Sequence, residues 1–205
     1  MFFSVYKTIF VHIPKTGGSS LEFAICKKHL PESSNLNIDS YKLFTIRGAM
    51  DGIQKNTPRG HSHSYISEYH KFLQIDSYLK FTVLRNPFDQ VTSLYNQMKH
   101  LMNIPSFEHF ILSDEKNSFQ NLNHYINQYE YTHLNDKLAI DKVFVYDRYH
   151  EAQDFVEKQF DLKIDRDKKL WATKYTGEGW SKEMRDKFAS IHYKSIDLYH
   201  RFLKQ

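Results

Sequence analysis

Short apolar runs rich in β-branched and aromatic residues alternate with amphipathic stretches along this chain. Residues 8–13 (TIFVHI) form such a run, closed by Pro14, and the pattern predicts a buried strand. The turn Pro14-Lys15-Thr16-Gly17-Gly18 follows it. A helix is then expected to about Leu30, with Leu21, Ala24, Ile25 and Lys28 on one face. Ser19 supplies the N-cap hydroxyl, with Glu22 three residues on. Residues 31–60 carry Pro31, Gly48, Gly52, Pro58 and Gly60 and read as irregular, with room for one strand at 41–46. Residues 64–73 read as a short helix. A second strand is predicted at 79–84 (LKFTVL), closed by Arg85-Asn86-Pro87. After it, Val91, Leu94, Tyr95, Met98, Leu101 and Met102 follow the i, i+3, i+4, i+7 rule of a helix. Residues 105–126 are helical and aromatic in a weaker pattern. A third strand is placed at 142–146 (KVFVY) and a helix at 149–160. Residues 161–179 are charged and irregular. A closing helix carries the stripe Met184, Phe188, Ile191, Ser195, Tyr199 and Phe202.

Strands that alternate with helices predict an α/β fold with a central parallel sheet. With no repeat, linker or low-complexity tract in 205 residues, one domain over 1–205 is expected. Apolar residues make up 40% of the chain, enough for a packed core and against disorder. The formal charge of +4 suits a protein that handles anions but does not demand nucleic acid. One cysteine, Cys26, excludes an internal disulfide framework or a multi-cysteine zinc site. Among the 12 histidines, His61 and His63 offer two metal ligands with nothing nearby to complete a set, so no metal is expected. No apolar run is long enough to span a membrane, and the N-terminus makes a poor signal peptide, so the expectation is a cytoplasmic chain.

The first strand–turn–helix is a candidate anion site. Backbone N–H groups at a helix start point at the ligand, and the helix dipole adds about half a positive charge. Gly17 and Gly18 let the backbone come close, Lys15 brings a full charge, and Thr16, Ser19 and Ser20 bring hydroxyls. Taken alone, KTGG equally describes an ordinary connection with a surface lysine. It is not a Walker A loop, because the lysine precedes both glycines. A nucleotide kinase, the first alternative, also needs an acidic metal holder at the end of an apolar strand, which Asp141 imitates only loosely.

His12-Ile-Pro-Lys-Thr-Gly-Gly-Ser-Ser20 resembles the 5′-phosphosulfate loop of sulfotransferases that use 3′-phosphoadenosine 5′-phosphosulfate (PAPS). The nearest likeness is to carbohydrate enzymes such as the heparan sulfate 2-O- and 6-O-sulfotransferases and their bacterial relatives. Residues 83–95 (VLRNPFDQVTSLY) resemble the same family's 3′-phosphate motif, with Arg85 ending a strand and Ser93 on the next helix. The two motifs occur in the expected order. Helical geometry separately places Ser93 opposite the Val91, Leu94, Tyr95 and Met98 face, alongside Asp89 and His100. Residues 128–147 and the closing helix resemble later parts of the family more loosely.

The resemblance implies a P-loop-like three-layer fold, PAPS as co-substrate, the 3′,5′-bisphosphate (PAP) as product and no metal. It also implies a carbohydrate or small-molecule acceptor. Lys15, Thr16, Gly17, Gly18, Ser19 and Ser20 would hold the 5′-phosphosulfate, and Arg85 and Ser93 the 3′-phosphate. For Lys15 two jobs are open on this resemblance, holding the 5′-phosphate and neutralising charge on the departing oxygen, and the sequence does not separate them. The segment from Gly60 to Ser64 resembles the family's histidine-bearing segment, which makes His63 the general base and His61 its alternate, with Glu22 a more remote candidate. Gln90, where relatives often carry arginine, would bear on the charge preference for acceptors. His109, His124 and His192 are expected at the surface or an interface. Tyr125, Tyr129, Tyr131 and Trp171 are expected to stack on a sugar or to fill the core. A non-catalytic nucleotide- or glycan-binding protein on the same fold is the second alternative.

Overall fold

The computed structural model describes residues 1–3, 6–29, 63–71, 73–115, 118–166 and 179–205. The strand foreseen at 41–46, together with His61 and Trp171, lies outside them. Among the described residues a four-stranded sheet runs in the order β1 (Phe2–Phe3), β2 (Thr8–Val11), β3 (Leu79–Leu84) and β6 (Lys142–Val145). Strand β1 is antiparallel to β2. The pairs β2–β3 and β3–β6 are parallel, in the registers Phe10↔Phe81 and Val83↔Phe144. The remaining strands, β4 (His133–Leu134) and β5 (Lys137–Leu138), form a separate hairpin. Its tip residues Asn135 and Asp136 both have positive φ, a conformation their short polar side chains tolerate.

The central strands are buried on both faces, as parallel strands are when helices cover them. On one face Phe10, Phe81 and Val83 meet Leu21, Ile25 and Cys26 of α1 (Gly18–His29). Ala152, Val156 and Phe160 of α6 (Tyr149–Phe160) close that side. The Phe10 and Phe81 rings stack across adjacent strands at 4.6 Å. On the other face Ile9, Val11, Leu84 and Val145 pack with three helices. These are α2 (Ile66–His70), α5 (Gln128–Thr132) and the C-terminal part of α7 (Lys182–Leu203). Burying each large apolar side chain contributes about 1.5–3 kcal/mol, so both clusters hold the sheet between helices. The expected α/β architecture with a central, mostly parallel sheet is therefore present, with β1 as an edge strand that no sequence signal announced. No helix among the described residues is long and apolar enough to cross a membrane.

A third cluster joins α3 (Pro87–Met98), α4 (Phe107–Leu112), the turn Phe119–Tyr125 and the first half of α7. Helix α3 starts where sequence says it should. The Asn86 side chain accepts from the Phe88 N–H at 3.0 Å, and Pro87 occupies the first helical position. It ends at Met98, short of Leu101 and Met102 in the expected stripe, and Leu101 is 76% exposed. The closing helix kinks at His192 (φ −109°, ψ 19°). One position of the expected stripe differs: His192 is buried and Ile191 is exposed, while Met184, Phe188, Ser195 and Tyr199 are buried as expected. His192 stacks on Phe188 at 4.7 Å, and burial lowers its pKa to about 4.

Candidate functional site

The turn after β2 is held from inside. Thr16 is fully buried and its hydroxyl donates to the Ile13 carbonyl at 2.8 Å. Lys15 takes a left-handed conformation (φ 65°), and Gly17 does so as well (φ 87°). A β-branched residue would be strained there, and a Cβ on Gly17 would also come within 2.9 Å of the Tyr146 ring. The Tyr149 hydroxyl donates to the Gly17 carbonyl at 2.7 Å. Gly18 is required for a different reason. A Cβ there would stand 2.1 Å from the His12 ring, so this glycine accommodates a protein side chain that fills the space beneath the loop.

Helix α1 begins at Gly18, so Ser19 lies inside it and the expected capping box with Glu22 does not form. Glu22 is instead fully buried, with Oε1 2.9 Å from Nδ1 of His12. Burial opposes ionisation of this carboxyl, yet His12, the N-terminal ammonium and His63 together hold the Glu22 pKa below the usual range. Glu22 is held against His12 and does not line the cleft, which weighs against it as the base.

His63 precedes α2, whose first turn is fixed by the Tyr65 N–H donating to Glu68 Oε2 at 2.8 Å. The His63 ring stands edge-on to His12 at 4.4 Å, and its Nδ1 lies 3.0 Å from the His12 carbonyl. That oxygen can only accept, so Nδ1 carries the proton and Nε2 the free lone pair. Burial, then the neighbouring His12, lowers its pKa to about 3.

Arg85 follows the last residue of β3. Its Nη1 donates to the Lys15 carbonyl at 3.1 Å, and its guanidinium stacks 4.8 Å over the Tyr146 ring. Its Nε is buried and has no hydrogen-bond partner among the described residues. A buried donor of this kind costs stability unless a ligand satisfies it. The Lys15 ammonium is depressed to about 8, by burial first and by Arg85 second. Two cations held together under partial burial make a site that an anion relieves.

One cleft of about 1120 Å³ is lined by Lys15, Gly17, Ser19, Ser20, His63, Arg85 and Ser93. Ser93 is 9% exposed, not on a solvated polar face. The middle of α3 is buried all round, and Ser93, Asn96 and Gln97 turn toward the cleft while Asp89 does not. The Thr16 hydroxyl points elsewhere, and Gly18 does not line the cleft. Sequence reasoning missed Tyr146, Tyr149 and the His12–Glu22 pair. The polar His12 inside the otherwise apolar run 8–13 was the one available signal. Gln90 is fully buried, bonds to the loop backbone and does not line the cleft. Of the proposed stacking residues, Tyr125 lines the cleft, Tyr131 is core, and Tyr129 stacks on His133.

Asp141, the loose candidate for a kinase metal holder, precedes β6 and accepts from the Lys80 N–H at 2.7 Å. In a parallel sheet this is the end opposite the loop that leaves β2. The kinase alternative loses its acidic residue by that placement.

A model of the sulfotransferase family matches residues 1–197. The chain belongs to the sulfotransferase family. No curated protein and no solved structure matches it. Sulfotransferases move a sulfuryl group from a sulfate donor to a small-molecule or glycan acceptor. The anionic character of such a donor accords with the paired Lys15 and Arg85 cations in this member's cleft.

Proposed function

We propose that this sulfotransferase transfers the sulfuryl group of PAPS to a hydroxyl, on a carbohydrate, within one P-loop-like domain spanning residues 1–205. The observation that carries the reading is the buried, unpartnered Nε of Arg85 in a cleft shared with Lys15, Ser19, Ser20, Ser93 and His63. When bound, the donor supplies an activated sulfuryl group between two phosphate anchors. Arg85 and Ser93 hold the 3′-phosphate. Arginine suits that role because its fork makes paired, charge-assisted hydrogen bonds. Ser19 and Ser20, with the backbone N–H groups of Thr16, Gly17 and Gly18, hold the 5′-phosphate at the start of α1.

Lys15 offsets negative charge on the oxygen that leaves sulfur, a stabilisation realised in the transition state. His63, neutral and with Nε2 unprotonated, takes the proton of the acceptor hydroxyl. His61 is the alternate base. These residues require no metal to perform those roles, and the site is proposed to act without one in a cytoplasmic setting.

Calorimetric titration with adenosine 3′,5′-bisphosphate in the presence of a chelator tests the nucleotide half of the reading. Transfer of label from ³⁵S-PAPS to a panel of glycans tests the chemistry. Binding and transfer without magnesium are expected. Binding without transfer to any hydroxyl acceptor would point to the non-catalytic alternative, and magnesium-dependent ATP binding to the kinase.

A further inference from the structure

Two buried glutamines join the loop after β2 to the arginine after β3. Gln90 on α3 and Gln128 at the start of α5 are both fully buried. Nε2 of Gln90 donates to the Pro14 carbonyl at 2.8 Å and to the Tyr125 carbonyl at 3.1 Å. Nε2 of Gln128 donates to the Arg85 carbonyl at 2.7 Å and to Gln90 Oε1 at 2.9 Å. Oε1 of Gln128 accepts from the Arg85 N–H at 3.1 Å.

The orientation of both amides follows from these partners. Two carbonyls face one end of Gln90, so that end must be its NH₂ group. Its oxygen then faces Gln128, whose own NH₂ also meets the Arg85 carbonyl. Each NH₂ spends both hydrogens and each amide oxygen accepts one bond, so no polar atom of the pair is left over. A glutamate at either position lacks the donors, and an asparagine is one methylene short. A fully satisfied buried network fixes a single geometry, whereas a half-satisfied one is costly.

We infer that Gln90 and Gln128 are positioning residues that set the distance between the loop at Lys15 and the guanidinium of Arg85. They thereby tune the site to a nucleotide phosphorylated at both the 5′ and the 3′ position. The inference rests on the nucleotide reading proposed above. Gln128 grips Arg85 by both its backbone N–H and its carbonyl, while Gln90 grips the residue before Lys15. Neither side chain lines the cleft, so their effect passes through the backbones they hold.

The test compares dissociation constants for adenosine 3′,5′-bisphosphate and adenosine 5′-monophosphate in wild type, Gln90→Met and Gln128→Met. Methionine keeps the length and removes the hydrogen bonds. Wild type is expected to prefer the bisphosphate by about 10- to 100-fold, the usual worth of charge-assisted bonds to one phosphate. In each folded variant the preference should fall to within about threefold, because the 3′ anchor no longer stands at the right distance. Simple loosening of the fold would weaken both nucleotides alike and leave the ratio unchanged, which overturns the inference. Should the methionine variants not fold, Gln128→Glu carries the same comparison, since it still accepts from the Arg85 N–H but cannot donate. A wild type without preference for the bisphosphate overturns the nucleotide reading, and the role of the glutamines with it. A wild type with that preference and variants that retain it overturns the glutamine role alone.

Discussion

Nη1 of Arg85 donates to the carbonyl oxygen of Lys15 at 3.1 Å, so the arginine after β3 is fastened to the loop after β2. The bond uses one of five guanidinium donors and leaves the buried Nε without a partner among the described residues. The same proximity sets two cations against each other, and this repulsion adds to burial in depressing the Lys15 ammonium. Loop geometry and the Lys15 titration therefore share one contact.

Arg85→Ala should weaken adenosine 3′,5′-bisphosphate binding by about 1.5–3 kcal/mol, and Ser93→Ala by about half as much. Arg85→Lys keeps a charge without the fork and should recover only part of the loss. Calorimetry on folded variants decides the matter. An unchanged affinity in Arg85→Ala would falsify the 3′-phosphate assignment.

For Lys15 the sign of the pH effect is fixed by its lowered value of about 8 against about 10.4 in an unfolded chain. Between these values the unfolded state binds a proton that the folded state has released, so stability rises with pH across that window. Below about 8 both states are protonated and the cost of the buried cation is fully present. Lys15→Met should accordingly melt above wild type at pH 7, with the gap closing by about pH 10. Bisphosphate binding near pH 8 should take up protons, because an anion restores the ammonium. Calorimetry in two buffers of different ionisation enthalpy reads that uptake. A zero uptake would place Lys15 away from the phosphate.

Lys15→Ala should also lower turnover far more than it lowers affinity for the bisphosphate, since loop N–H groups still bind the ground-state phosphate. Equal losses would make Lys15 a plain binding residue.

The strands at Phe10 and Phe81 were legible because a strand buried on both faces reads as a continuous apolar run, and the one at Val145 from its β-branched and aromatic residues. Helix α6 and the body of α3 were legible as helical stretches, α3 from the spacing of Val91, Leu94, Tyr95 and Met98. Lys15, Ser19, Ser20, Arg85 and Ser93 were found because local motifs carry them. Tertiary pairings have no local signature. His12 with Glu22, Tyr149 with the Gly17 carbonyl, and Gln90 with Gln128 each join residues that only the fold brings together. Glu22 shows the difficulty: its spacing from Ser19 matches a capping box, but pairing with buried His12 displaced that local pattern. At Ile191 and His192 helical spacing allows either residue on the buried face, and packing against Phe188 and Phe119 takes the histidine.

Gly18→Ala should destabilise the protein through His12 and nothing else. Gly18 opens α1 without positive φ, so alanine suits its backbone and helix propensity favours the change. The new Cβ would nevertheless stand 2.1 Å from His12 Cδ2, and overpacking of this kind costs roughly 1–3 kcal/mol. His12→Ala in the same chain opens the space, so the double variant should show a coupling of opposite sign. Thermal unfolding of the four proteins measures it. Gly18→Ala as stable as wild type would mean that the ring does not stand beneath the loop.

His63 gives the sharpest test because its protonation is set by the surroundings. Burial and the neighbouring His12 lower its pKa to about 3, against about 6.5 in an unfolded chain. As pH falls from about 6.5 toward 3, the unfolded state binds a proton that the folded state refuses, so wild-type stability falls across that window. His63→Ala lacks this penalty, and its stability relative to wild type should improve with acidity. The chemical step follows the same logic. A ring already neutral at pH 5 gains nothing from further alkali, so kcat should not track an imidazole titration between pH 5 and 8. His63→Ala should bind bisphosphate normally while losing roughly 10²–10⁴-fold in kcat, the worth of a positioned base. A wild-type kcat that climbs tenfold per unit through pH 6 to 7 would instead mean that bound nucleotide recharges the ring. Near-normal turnover in His63→Ala would move the base to His61, and the same pH series on His61→Ala would then show the loss.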